Sequence, residues 1–74
     1  MTLHQRISIN PEVMFGKPVI KGTRVTVEHI LRKLATGMTT EELIDEHPKL
    51  EIADILAAEM FAADHLADEE IAFG

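Results

Sequence analysis

Residues 16–27, GKPVIKGTRVTV, combine glycine, lysine and threonine, which are the residue types of phosphate-binding loops. Such a loop needs the pattern GxxxxGK[ST], in which a lysine directly follows the second glycine. Here Lys17 follows the first glycine, and Thr23 follows the second. Pro18 also lacks the backbone N–H that a bound phosphate would need as a hydrogen-bond donor. The segment therefore predicts a turn rather than a nucleotide site.

Five cations in and after this segment are the candidate nucleic-acid-binding residues. They are Lys17, Lys21, Arg24, Arg32 and Lys33. Lysine and arginine neutralise backbone phosphates and release counterions. We call residues 16–27 the basic turn; if a dimer presents it twice, it would attract promoter DNA. The alternative is that these cations pair with acidic residues of the same chain.

The charge distribution is compatible with both interpretations. Residues 1–33 carry six basic and two acidic side chains, whereas residues 34–74 carry one basic and eleven acidic side chains. The formal net charge is −6. This asymmetry is expected either when the two halves pack against each other or when they face different partners.

The sequence contains no recognisable pattern of catalytic residues. Its histidines lack the spacing of a metal site, so they would bind a metal only if the tertiary structure gathered them. They are His4, His29, His47 and His65. Acidic pairs such as Glu41-Glu42 are typical of a helix start, and cysteine is absent. We therefore expect no enzymatic activity, no cofactor and no metal; metal-dependent chemistry by gathered histidines is the alternative.

The length of the chain predicts association. A 74-residue chain buries only about 60–65% of the surface that its unfolded form exposes, and this chain has no disulfide to compensate. We therefore expect a homodimer or another protein partner. The sequence begins without a secretion leader and has no apolar run of about 18 residues. We thus expect no membrane association and a cytoplasmic location.

Alternating polar and apolar residues predict a short β element over about residues 6–25. Residues 6–9 alternate as one strand, and Pro11 follows them in a turn. Residues 18–20 and 24–25 predict two extended segments around a turn at Gly22, which together form a hairpin.

Three helices are predicted after the β element, over about residues 27–36, 40–47 and 52–67. Thr26 is the expected N-cap of the first helix, and Gly37 is its expected left-handed C-terminal cap. Thr39 and Glu42 fit a capping box at the start of the second helix, which ends before Pro48. The prediction is a mainly α single domain: the β element, a helix-turn-helix-like three-helix bundle and an acidic tail over residues 68–74.

The third predicted helix has two apolar stripes. One consists of Ile55, Ala58, Ala62 and Leu66, and the other of Ile52, Leu56, Met60 and Ala63. A helix of a small monomer needs one such stripe, so the second should contact a subunit or partner unless the β element covers it. Leu56, Met60 and Phe61 are therefore candidate interface residues, with Phe61 as the anchor. Glu59 lies on the side of this helix that is expected to face the core. Either its carboxylate reaches an internal arginine, or the helix is rotated so that Leu56 and Met60 face inward.

Three stretches of the chain resemble the bacterial domain-of-unknown-function family numbered 433. They are PEVMFGKPVIKGTRVTVEHILRKLATG, TTEELIDEHPKLEIADI and AAEMFAADHL. The resemblance covers roughly residues 6–66, and GKPVIKGTRVTVEHIL is its most specific part. It implies a helix-turn-helix-like fold with a short N-terminal β element. Many members are encoded beside a PIN-like nuclease and are regarded as antitoxins of type II toxin–antitoxin pairs, so the resemblance implies that role.

The leading interpretation is a non-enzymatic, dimeric antitoxin-like protein that binds and neutralises a PIN-like nuclease. The alternative is a dimeric DNA-binding transcriptional regulator without a toxin partner. A third helix that carries Asp54, Glu59 and Asp64 would repel phosphates, so the basic turn together with Arg32-Lys33 is the expected DNA contact. The acidic tail opposes insertion of a basic side chain into the nuclease site. Through Ile71 and Phe73 the tail either docks on an apolar groove or is frayed.

Overall fold

Two short β-strands and three α-helices form the described part of the chain. The computed structural model describes residues 3–67, with side chains from residue 5 onward. The elements are β1 (Ile7–Ser8), β2 (Val19–Ile20), α1 (Val27–Ala35), α2 (Thr40–Glu46) and α3 (Ile52–Ala67). This confirms the predicted fold class. No helix within residues 3–67 is long and apolar enough to cross a membrane.

The β element is smaller than the sequence predicts. β1 and β2 pair in antiparallel fashion, with Ile7 opposite Ile20 and Ser8 opposite Val19. The predicted strand over residues 6–9 is too long, because Arg6 belongs to a 3₁₀ turn over Leu3–Arg6 and Ile9 lies beyond β1. The N-terminal turn packs along α3, so it brings the start of the chain to the last helix.

The predicted hairpin around Gly22 is present, and its second arm is a single bridge. Gly22 has a φ of 81°, a left-handed conformation that glycine adopts without steric cost. The backbone N–H of Ile20 donates to the carbonyl of Val25 over 2.9 Å. One β-bridge then joins Val19 to Thr26, immediately before α1. The turn therefore sets the position at which α1 begins.

The starts of α1 and α2 follow from their capping residues. The hydroxyl of Thr26 accepts the backbone N–H of His29 at 2.9 Å. In α2 the Thr39 hydroxyl accepts the N–H of Glu42 at 3.1 Å, and the Glu42 carboxylate accepts the N–H of Thr39 at 2.8 Å. Both predicted caps are thus confirmed.

Gly37 ends α1 as predicted. It follows the C-cap residue with a φ of 97°. Its N–H donates to the carbonyl of Leu34 at 3.0 Å, and the N–H of Met38 donates to that of Lys33 at 3.3 Å. These two bonds define a Schellman motif, which turns the chain sharply from α1 toward α2.

The core lies where β2, α1, α2 and α3 meet. Its buried residues are Ile20, Val27, Ile30, Leu43, Leu50, Ile55 and Ala58. Ile30 and Leu43 are fully excluded from solvent, so α1 and α2 each contribute a central aliphatic side chain. Truncation of such a side chain costs about 2–5 kcal/mol of stability.

One side of α3 remains exposed. Ile52, Leu56 and Met60 have relative exposures of 59%, 51% and 46%. We call these three residues the outer face. The alternative that the β element covers this stripe is therefore wrong.

Both expectations for Glu59 are also wrong. Glu59 is exposed, and Leu56 and Met60 do not turn inward. The acidic residue on the inner side of α3 is Asp54, which is only 6% exposed.

Candidate protein-binding surfaces

Two of the predicted nucleic-acid-binding residues converge on an acid of their own chain. Arg32 Nε lies 2.9 Å from one carboxylate oxygen of Glu28, and Lys17 Nζ lies 3.2 Å from the other. Arg32 and then Lys17 lower the pKa of Glu28 below its ordinary value, because each donates a hydrogen bond to the charged carboxylate. Lys17 and Arg32 are therefore partly neutralised within the fold.

The other three predicted basic residues do not bond to Glu28. Lys21 is exposed and lines a shallow depression with Arg6, Lys49 and Asp54. Arg24 is exposed beside a different depression that His29 and His47 also line. Lys33 is half-buried in the last turn of α1.

Two of the four histidines are brought together. Nε2 of His29 lies 3.4 Å from Nε2 of His47, and the two rings meet edge to face. This contact links α1 to the end of α2. The ring of His65 instead stacks on Phe61, with 6.0 Å between the centroids. Among the described residues, no three histidine or carboxylate side chains gather closely enough to hold a metal ion.

Arg6 joins the N-terminal turn to α3. Its Nη1 atom donates to Asp54 at 3.0 Å and to Glu51 at 3.1 Å. Asp54 and then Glu51 raise the pKa of Arg6, because both carboxylates stabilise its cationic form. The structure thus pairs a basic residue of the first half with acids of the second half. The predicted phosphate-repelling role of Asp54 is wrong, since this carboxylate is buried and paired.

An apolar groove runs between α1 and α3. Its walls are Pro18, Val27, Leu31, Phe61, Ala62 and Leu66, and its volume is about 410 Å³. Glu28, Arg32 and His65 line its rim. We refer to the six wall residues as the groove.

The predicted interface residues fall on two separate surfaces. Leu56 and Met60 belong to the outer face, whereas Phe61 is half-buried, packs against the core and lines the groove. Ile71 and Phe73, the other predicted interface residues, lie outside the described residues.

Phe15 is a further exposed apolar residue, which the sequence analysis did not select. Its side chain is 96% exposed, although phenylalanine is usually buried. Met14 and Phe15 have φ values of 49° and 58°, and Gly16 has a φ of 82°. We call residues 14–16 the Phe15 turn. The only sequence signal for it is a bulky apolar pair before Gly16, without the periodicity of a helix or a strand.

The chain matches the model of a known protein family. The model of the family described as "Protein of unknown function (DUF433)" matches residues 7–62. The chain belongs to the DUF433 family. The matched range includes the basic turn, the Phe15 turn and most of α3, so each of these features lies in the DUF433 region.

Two similar proteins are known from other organisms. The uncharacterized protein y4eO of Sinorhizobium fredii is 30% identical over 69 residues, which are 92% of this chain and 31% of y4eO. A crystal structure of a DUF433 member from Anabaena variabilis has a TM-score of 0.80 and 28% identity, covering 88% of this chain and 64% of that one. The chain thus spans about a third of the curated relative.

Proposed function

We propose that this DUF433 protein is a non-enzymatic interaction protein, an antitoxin-like partner that binds and neutralises a PIN-like nuclease. The observation that carries the proposal is the exposed outer face of α3. Ile52, Leu56 and Met60 lie on consecutive turns of the helix, and each exposes about half of its side chain or more. An apolar row on a helix is the form in which an amphipathic helix enters a partner's groove.

The chemistry of the described surface favours binding over catalysis. A catalytic site needs a nucleophile, a base or a metal held in a shared pocket. Here the buried carboxylate of Asp54 is bound by Arg6, and His29 and His47 contact each other. These groups already contact one another within the fold, whereas the outer face of α3 is exposed to solvent.

A DNA-binding regulator is the second candidate, and the exposed Lys21 and Arg24 favour it. Both lie on the turn that precedes α1, where a duplex could reach them. Against this candidate, Lys17 and Arg32 share the charge of Glu28, which weakens their attraction for phosphates. We rank the antitoxin-like function first because the exposed apolar row of the outer face has the form that a protein partner's groove accepts.

The proposal is tested by capture of the tagged protein from its native host, with identification of a co-purifying PIN-like nuclease by mass spectrometry. The test variant replaces both Leu56 and Met60 with glutamine, which keeps the helix but removes the apolar surface. The matched control is Ile9→Gln, because Ile9 is an apolar residue with 61% exposure outside α3.

We expect the wild type and Ile9→Gln to co-purify with the nuclease at a fixed ratio and the double variant to lose it. Equal retention of the nuclease by the double variant would refute the role of the outer face. Failure of the wild type to bind the nuclease, together with binding of promoter DNA, would instead favour the second candidate.

A further inference from the structure

The backbone of the Phe15 turn is costly for the residues that it contains. Phe15 has φ 58° and ψ 32°, and Met14 has φ 49°, so two consecutive non-glycine residues are left-handed. A side chain with a Cβ atom is disfavoured there, because Cβ approaches the following carbonyl oxygen. Glycine or asparagine would occupy the Phe15 position with less strain.

The turn is nevertheless well anchored. The N–H of Gly16 donates to the carbonyl of Val13 at 3.1 Å, and the N–H of Lys17 donates to that of Met14 at 3.2 Å. These bonds hold the backbone and leave the phenyl ring of Phe15 pointing into solvent, 96% exposed. The ring therefore stabilises the monomer little, while its backbone position has a cost. Local strain of this kind is typical of functional sites.

The Phe15 turn adjoins the rim of the groove, because Met14 lines a small depression together with the rim residues Glu28 and Arg32. Pro18, three residues after Phe15, is a wall residue, and Lys17 between them bonds to Glu28 on the rim. The turn that exposes the Phe15 ring thus lies next to the rim of an apolar cleft. Lys17 and Arg32 both pair with Glu28 at this rim, so covering the groove would leave none of the three groups without an ion-pair partner, and together they keep one net positive charge.

We propose that two copies of this chain associate by inserting Phe15 of each copy into the groove of the other. A ring next to the rim of a cleft suits a twofold arrangement, in which the same contact is made twice. Phe61 and Leu66 in the groove would then meet the ring of the second copy, and aromatic residues centred in apolar pockets are typical binding hot spots. The outer face of α3 takes no part in this contact and stays free for a different partner.

The test compares the molecular mass of purified variants by sedimentation equilibrium over a range of concentrations. Phe15→Asn removes the ring and relieves the backbone, while Ala62→Glu places a charge in the groove. Ile9→Asn is the matched control, because it removes another exposed apolar side chain. We expect the wild type and Ile9→Asn to dimerise. Each of the other two variants should raise the dimer dissociation constant by about thirtyfold or more, as for a hot-spot residue.

Mixing the two defective variants gives the sharpest readout. Phe15→Asn retains an intact groove and Ala62→Glu retains an intact ring, so a mixed dimer recovers one of the two contacts. We expect mixed dimers to form more tightly than dimers of either variant alone. At concentrations where both are monomeric, Phe15→Asn should melt no lower than the wild type.

Three results would overturn the proposal. They are a wild type that stays monomeric at high concentration, a Phe15→Asn variant that dimerises like the wild type, and a mixture that shows no complementation. Because the outer face is not involved, loss of nuclease binding by the Leu56 and Met60 variant would leave this dimer unchanged. The two proposals therefore fail separately.

Discussion

The guanidinium of Arg6 lies 3.0 Å from the carboxylate of Asp54, across 48 residues of sequence. Asp54 uses its second oxygen to accept the N–H of Glu51 at 2.9 Å, just before α3 begins. One buried carboxylate therefore both caps α3 and receives the cation of the N-terminal turn. This pair joins the basic half of the chain to the acidic half.

Replacement of Asp54 by alanine should lower stability clearly. The variant loses hydrogen bonds to a charged, buried group, each worth about 1.5–3 kcal/mol. Each lost kcal/mol lowers the Tm of a domain of this size by about 4–8 °C. Glu51→Ala is the control, because the Glu51 side chain is 72% exposed and surface ion pairs contribute little. Equal losses of Tm in both variants would contradict the role assigned to Asp54.

Acid should destabilise the fold through Glu42. The N–H of Thr39 and then its hydroxyl hold the pKa of Glu42 below its ordinary value of 4.5. A pKa lowered by folding gives stability that is complete above the unfolded pKa and is lost as the pH falls through the folded value. Denaturation by urea at pH 7 and at successive values below about 4.5 measures this loss.

Glu42→Gln should show a shallower loss of stability over that acidic range than the wild type. Glu41→Gln is the matched control, since Glu41 is the adjacent acid and is not part of the capping box. If the two variants respond alike to acid, the capping box does not supply the pH dependence.

Substitutions at Gly22 should act through the backbone alone. A Cβ atom at this position would meet no atom within 4 Å, yet the φ of 81° strains any residue with a side chain. We expect Gly22→Val to cost at least about 1–2 kcal/mol. Gly22→Asn should cost less, because asparagine tolerates the left-handed region. A Gly22→Val protein with wild-type thermal stability would be incompatible with this turn.

The second candidate function makes its own prediction about salt. If duplex DNA is bound, the logarithm of affinity should fall linearly with the logarithm of salt concentration, and Lys21→Ala and Arg24→Ala should each reduce the slope by about one. Lys17→Ala should change the slope less, because Glu28 already holds this cation. A fluorescence titration at four salt concentrations measures these slopes. If all three variants have the same slope as the wild type, the turn is excluded as the DNA contact.

The sequence was sufficient for features that depend on neighbouring residues. Thr26, Gly37 and the Thr39–Glu42 box mark helix ends through bonds within a few residues, so their patterns are visible in one dimension. The surplus apolar stripe of α3 was also predictable, because helical periodicity assigns residues to faces.

Features that depend on residues far apart in the chain could not be predicted from the sequence. Asp54 is buried against Arg6, which is far away in the chain. The position of Asp54 in the third helix alone therefore predicted an exposed acid. The meeting of His29 and His47 similarly depends on how α1 packs beside the end of α2. Phe15 escaped because its exposure is set by a left-handed turn, and phenylalanine itself gives no signal for that conformation.

The most direct test of the central claim is a titration of a PIN-like nuclease, captured with this protein from its native host and then purified alone, while its cleavage of nucleic acid is recorded. We predict that cleavage falls in proportion to added protein and ceases at a fixed stoichiometric ratio. The Leu56 and Met60 double glutamine variant should leave cleavage intact, and Ile9→Gln should inhibit like the wild type. Undiminished cleavage in the presence of excess wild-type protein would contradict the antitoxin-like function.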